Sequence, residues 1–179
     1  MEISCSNCVL RPLVASDAIS LATHANDRDV WLNLRDRFPH PYTVRDAEHY
    51  IASLEAHERP ASFGIVIDGE AAGTIGLVPG EDIARRTAEV GYWLGRRFWG
   101  RGVVTEALRA VTDHAFAELD MHRVFAVPFV HNAASRRVLE KAGYVLEGRM
   151  RRSALKAGEI LDQWLYAAYD DHRRPEPTG

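Results

Sequence analysis

RRFWGRGVVTEAL, residues 96–108, sets three arginines and two closely spaced glycines against the start of an amphipathic stretch. Val103, Ala107, Leu108, Val111 and Ala115 recur at the spacing of one helical face, which predicts a helix running to about residue 119. The first N–H groups of such a helix lack intrahelical partners and lie at the positive end of its dipole. Gly100 and Gly102 let the preceding loop curl and bring main chain close to an extended diphosphate, and Arg96, Arg97 and Arg101 add local positive charge. On spacing alone, a glycine-rich turn that merely starts a helix fits as well.

Upstream of the loop, SFGIVIDGEAAGTIGLVP (62–79) is two apolar runs joined by Asp68-Gly69, a hairpin signal, and TAEVGYWLG (87–95) is a third strand in the same meander. Further upstream, VLRPL (9–13) reads as a strand. A helix capped by Ser16 and Asp17 runs through Ala25, and a short helical piece covers 29–34. Thr43 and Asp46 form a capping-box pattern for a helix over 44–57, closed by Pro60. Downstream, HRVFAVPFV (122–130) is a continuous apolar run suited to a buried parallel strand, and Asn132 and Gly143 bracket a helix. Two strands, over 144–151 and 160–169, complete the pattern, with the polar tail 171–179 expected to fray. The expected architecture is one α+β domain over residues 1–170 with a mixed, mostly antiparallel sheet.

Composition narrows the function. At 179 residues, with 46% hydrophobic and 26% charged residues, the chain matches an ordinary globular domain, and its net charge of −3 gives no reason to expect a nucleic-acid partner. It contains no apolar run of membrane-spanning length and no basic, apolar leader, so no membrane partner and a cytoplasmic location are expected. Cys5-x-x-Cys8 stands before the first predicted strand without a second ligand pair, and the eight histidines show no ligand spacing, so no metal is expected.

Two phosphate-binding motifs fit poorly. A P-loop needs a Lys-Ser/Thr pair that is missing here, and Gly100, Gly102 and Thr105 only approach the dinucleotide pattern, too far along the chain and after an antiparallel meander.

Arg97-x-x-Gly100-x-Gly102 instead resembles the Gln/Arg-x-x-Gly-x-Gly/Ala signature of the GCN5-related N-acetyltransferases (GNATs). AEVGYWLGRRFWGRGVVTEAL, HNAASRRVLEKAGY and FPHPYTVRDAEHYI resemble the branch containing ribosomal-protein N-terminal acetyltransferases of the RimJ and RimL type, in the family's order. The resemblance implies a GNAT fold, with GYWL and VFAVPF as the arms of a V-shaped cleft that takes acetyl-coenzyme A. It implies pyrophosphate binding by Arg97, Phe98, Trp99, Gly100, Arg101, Gly102 and Val103, and pantetheine binding by the main chain of Trp93 and Leu94 and by Asn132, which is otherwise only a cap. Pro128 suits the point where the second arm leaves its neighbour, or simply ends the strand.

The implied reaction is direct attack of a primary amine on the thioester, in a ternary complex. The acceptor is a protein N-terminal α-amine or a small-molecule amine; a non-catalytic acyl-coenzyme A binding module is the other reading, and a homodimer is the oligomer the branch suggests. Glu89 is the candidate base, or else a solvent-facing strand residue. Ser135 is the candidate donor to the departing sulfur, or else a first-turn residue bonded to local backbone. Many relatives place a tyrosine four positions further on, where this chain has Leu139. Trp31, Phe38 and Tyr42 either line the amine pocket or pack the N-terminal helices, and Tyr92, Trp93 and Phe98 are expected to crowd the thioester end. SALKAGE (153–159) is expected to form a flexible rim.

Overall fold

The computed structural model describes residues 1–55 and 62–170. In chain order the elements are β1 (Ile3–Ser4), β2 (Val9–Arg11), α1 (Ala18–Ala25), α2 (Arg28–Trp31), α3 (Val44–Glu55), β3 (Ser62–Ile67), β4 (Glu70–Pro79), β5 (Thr87–Leu94), α4 (Val103–Ala117), β6 (Arg123–Ala126), α5 (Ala133–Lys141), β7 (Val145–Lys156) and β8 (Glu159–Tyr169). His57, Pro60 and the tail fall outside the described residues.

Among the described residues, the strands form one open sheet in the order β1-β2-β3-β4-β5-β6-β8-β7. All neighbours are antiparallel except β5 and β6, which run parallel. The β3–β4 turn has positive φ at both Asp68 and Gly69, the geometry that matches the twist of a two-residue hairpin.

Helices cover both faces of the sheet. Val103, Ala107, Leu108, Val111 and Ala115 of α4 are all buried, with Leu139 of α5, against Ala88, Val90 and Leu94 of β5. On the opposite face, Trp93 packs with Leu21 and Ala25 of α1, Val30 of α2, and Ala47 and Ile51 of α3. The alternation along β5 therefore assigns its side chains to two separate cores. Trp93 faces α1–α3, while Ala88, Val90, Tyr92 and Leu94 face α4 and α5.

Some expectations change. Ser16 and Asp17 do not cap α1 with a side chain; Asp17 instead accepts from the Val14 N–H at 2.9 Å and from Arg11 at 2.7 and 2.9 Å. Those bonds, led by the one from Arg11, hold its carboxyl below the usual range. The run at 122–130 is a strand only over Arg123–Ala126. Beyond it, Phe129 makes a single bridge to Gln163. The expected rim at 153–159 is mostly ladder: β7 continues through Lys156, and the hairpin turns at Ala157 and Gly158. The polar composition hid an edge strand that needs no apolar face.

Candidate active site

The site begins where two strands part. β5 pairs with β4 from Ala88 to Leu94, yet it pairs with β6 only at Thr87, Ala88 and Glu89. From Val90 onward the two parallel strands diverge, leaving a V with Glu89 at its fork. The second arm bends away into Val127 and Pro128, whose carbonyls accept from Gln163 Nε2 at 2.8 Å and from the Trp164 N–H at 2.9 Å.

At the far end of the first arm, one 3-10 turn (Arg96–Phe98) leads into α4. Gly100 and Gly102 have φ of +77° and +79°, and nothing lies within 4 Å of a Cβ added at either. The glycines are required for the left-handed backbone rather than for space. Gly102 is the N-cap of α4, no side chain caps it, and the helix's opening N–H groups are left for an external acceptor. Trp99 Nε1 donates to the Leu94 carbonyl at 2.7 Å, tying the loop to the strand and occupying that carbonyl.

From behind, His24 of α1 supports the loop. Its ring lies edge-on to Phe98 at 5.3 Å and so close to Gly95 that a Cβ there would meet it at 2.8 Å. Glu70 bridges His24 Nε2 at 2.9 Å and Arg97 at 3.4 Å, and Asp29 pairs with Arg96 at 2.7 Å. Arg97 and Arg101 both lie over the Phe98 ring, at 4.8 and 5.5 Å. Among the described residues Arg101 has no carboxylate partner, which makes it the least neutralised cation at the loop.

On the α4–α5 side of the V, Asn132 Oδ1 accepts from the Ser135 N–H at 3.0 Å, capping α5. The cap turns Ser135 Oγ toward β5, where it lies 2.8 Å from the Tyr92 hydroxyl. Burial pushes the Tyr92 hydroxyl up to about 12, and the bond to Ser135 opposes that rise. Tyr92 thus stays protonated at neutral pH.

On the other face, Glu89 accepts from the Arg35 guanidinium, which is carried by the loop between α2 and α3. Glu89 is therefore neither free in solvent nor unpartnered. Arg35 lines a cleft of about 320 Å³ with Leu34, Asp36, Phe129, Lys156 and Gln163. Lys156 is almost wholly buried, 2.9 Å from Asp36 and 3.9 Å above the Trp31 ring. Trp31 accordingly forms the floor under a cleft residue, whereas Tyr42 is 6% exposed and packs with Phe38 at 4.7 Å, inside the second core. Phe38 in turn meets Trp93 at 5.5 Å.

Sequence reasoning places the loop, the first arm, Asn132 and Ser135 in one region. It misses Arg35, Lys156, His24 and the hydroxyl pairing of Tyr92, because these contacts join residues 43, 54 and 120 positions apart or approach from the opposite face. Cys5 and Cys8 are free thiols, and among the described residues no cluster of three metal-ligating side chains occurs. No described helix is long and apolar enough to cross a membrane.

A split parallel pair that ends in an uncapped, glycine-curled helix start leaves a cleft with main-chain donors at its end, and comparison with known proteins gives its class as an acetyltransferase. The acetyltransferase (GNAT) domain family matches residues 7–145. The chain is 35% identical over 165 residues to the "Probable N-acetyltransferase YjcK" of Bacillus subtilis, covering 88% of this chain and 91% of that one. It is 35% identical over 86 residues to the ribosomal-protein-serine acetyltransferase of Escherichia coli, covering 48% and 43%. In structure it is similar to RimL, a ribosomal L7/L12 α-N-protein acetyltransferase solved with coenzyme A, with a TM-score of 0.85 at 23% identity over 97% of this chain and 100% of that one. The chain belongs to the GNAT acetyltransferase family.

Proposed function

We propose that this acetyltransferase moves the acetyl group of acetyl-coenzyme A to a primary amine, the α-amine of a protein N-terminus, by direct attack within a ternary complex. The observation that carries the reading is the division of labour at the fork: a carboxylate on one face of β5 and a hydroxyl pair on the other, beside the point where the arms part. A thioester lying between the arms meets an amine from the Glu89 side and releases sulfur toward Ser135.

The diphosphate fits the residues present. Uncapped N–H groups of α4, the open main chain at Gly100 and Gly102, and Arg97 and Arg101 supply donors and positive charge, with Phe98 and Trp99 fixing the loop and Val103 opening the helix. Past the fork, the side of β5 that faces away from β4 offers main-chain groups near Trp93 and Leu94 to the pantetheine arm, the Leu94 carbonyl excepted because Trp99 holds it, and Asn132 shapes the opposite wall.

The chemistry asks little of any single group. An α-amine with a pKa near 8 needs only modest help to lose its proton, and in this reading Glu89 receives it. A main-chain N–H near Leu94 serves the developing oxyanion. Ser135, backed by the protonated Tyr92, gives the departing thiolate a hydrogen bond. Since a thiol pKa is about 8.5, full proton donation is not required.

The test is thermal unfolding with coenzyme A, acetyl-coenzyme A, NAD and ATP, followed by thiol release with a panel of amines. A stability gain from the two coenzyme A forms alone, with thiol release on adding a peptide amine, is expected. A gain without thiol release from any amine identifies a binding module instead, and product only from antibiotic-like or other small amines moves the acceptor class.

A further inference from the structure

In the reading above Glu89 is the group that meets the incoming amine, and its carboxylate is already bound to a cation of the chain itself. The Arg35 guanidinium fills that position. We propose that Arg35 holds the place of the acceptor's ammonium on Glu89 and, once displaced, binds the carbonyl next to the amine, selecting a peptide α-amine over a polyamine. The inference rests on the transferase reading above and names the feature that sets its acceptor class.

The two cations of the cleft differ in freedom. Lys156 is fixed: its side chain is 2% exposed, bonded to Asp36 and seated on Trp31. Arg35 comes from a loop, its side chain is 54% exposed, and its one carboxylate contact among the described residues is Glu89. A half-exposed ion pair of this kind contributes little, so an ammonium entering the fork exchanges with it at small cost. Arg35 released in this way remains beside the cleft with its donors unoccupied.

The lining of the cleft then discriminates. Its one carboxylate among the described lining residues, Asp36, is held by Lys156. Gln163 and Ser153 are bonded to each other at 3.0 Å, and Gln163 Nε2 is committed to the Val127 carbonyl. A polyamine brings a second ammonium into a wall carrying two cations, whose one lining carboxylate, Asp36, already pairs with Lys156. A peptide N-terminus brings a carbonyl one bond from its α-carbon, an acceptor for the freed guanidinium.

The experiment compares the full chain with Arg35→Met, which keeps the apolar stem, and Arg35→Lys, which keeps the charge. Each is given a short lysine-free peptide with a free N-terminus or spermidine, and thiol release is measured with product mass. The parent is expected to favour the peptide by about tenfold or more in kcat/KM, and Arg35→Met to narrow that ratio at least tenfold while Arg35→Lys keeps part of it. Free guanidinium ion, against a sodium control of equal ionic strength, is expected to inhibit Arg35→Met competitively with the amine. Product from both amines with an unchanged ratio in Arg35→Met overturns this inference alone, and a parent that prefers spermidine overturns it together with the peptide acceptor while leaving the acetyl transfer standing. No product from any amine overturns the transferase reading and this one with it.

Discussion

Replacing Gly102 by alanine isolates what the loop's backbone contributes. The added Cβ meets nothing within 4 Å, so no clash enters and the whole cost is conformational, from holding a side-chain-bearing residue at φ +79°. That conformation costs an L-residue roughly 1–2 kcal/mol. In a chain of this size each kcal/mol lowers Tm by about 2–4 °C, so a drop of about 2–8 °C is expected without ligand. Gly148→Ala is the control: its Cβ is equally unobstructed and its φ is not left-handed, so Tm should hold or rise slightly. The strain is relieved if the N-cap rotates, and rotation turns the first N–H groups of α4 away from the loop. The stabilisation by acetyl-coenzyme A is therefore expected to shrink in Gly102→Ala, measured by thermal unfolding across a ligand titration. A ligand-induced shift equal to the parent's in both Gly102→Ala and Gly100→Ala refutes the assignment of the helix start as the diphosphate site.

Other perturbations have equally definite outcomes. Tyr92→Phe removes one hydroxyl and keeps the ring, so stability should change by about 1 kcal/mol or less while kcat falls about tenfold; Ser135→Ala should do the same, and the double variant should be no worse than either, whereas additive losses in steady-state kinetics break the proposed relay. Lys156→Met should be close to neutral in stability because Asp36 is 72% exposed and stays solvated, while Lys156→Ala should cost about 2 kcal/mol or more for the space it empties over Trp31, both read by denaturant unfolding. His114 beside Phe63 has its pKa lowered from the ordinary 6.5 chiefly by burial. The unfolded chain then binds a proton that the native chain refuses, so this contribution is present above about pH 6.5 and is lost as pH falls through the native value. A Tm-against-pH profile should show that slope, and His114→Gln should flatten it.

What the sequence disclosed follows the range of the interactions involved. The loop, the face of α4, the Asp68-Gly69 turn and the Asn132 cap are decided by residues within one or two turns of each other, and each stands as expected. Thr43 and Asp46 likewise form their reciprocal cap, with bonds of 2.8 and 3.3 Å. β1 escaped notice because two residues carry no period, and the end of β7 because an edge strand exposed to solvent shows no apolar alternation. The partners that define the candidate chemistry were beyond local reading for a different reason. Arg35 meets Glu89, and Tyr92 meets Ser135, only because β5 is shared by both cores and each core delivers its own partner. Glu89 and Ser135 were legible as residue types, but the guanidinium in front of one and the phenol behind the other were not.

The parting of β5 from β6 also bears on how the chain avoids its own kind. A sheet's unpaired backbone invites other strands, and the outer borders here are guarded in familiar ways: β1 is only two residues long, and β7 is interrupted by irregular register and carries exposed Arg149, Arg151 and Arg152. The divergence creates a third border in the middle of the sheet, along Val90 to Leu94, whose donors and acceptors need no such guard. A foreign polypeptide has to enter through a narrowing fork and finds a strand on either side before its own side chains can clear. Placing the reactive edge indoors lets the protein keep a backbone hungry for partners without becoming a seed for aggregation.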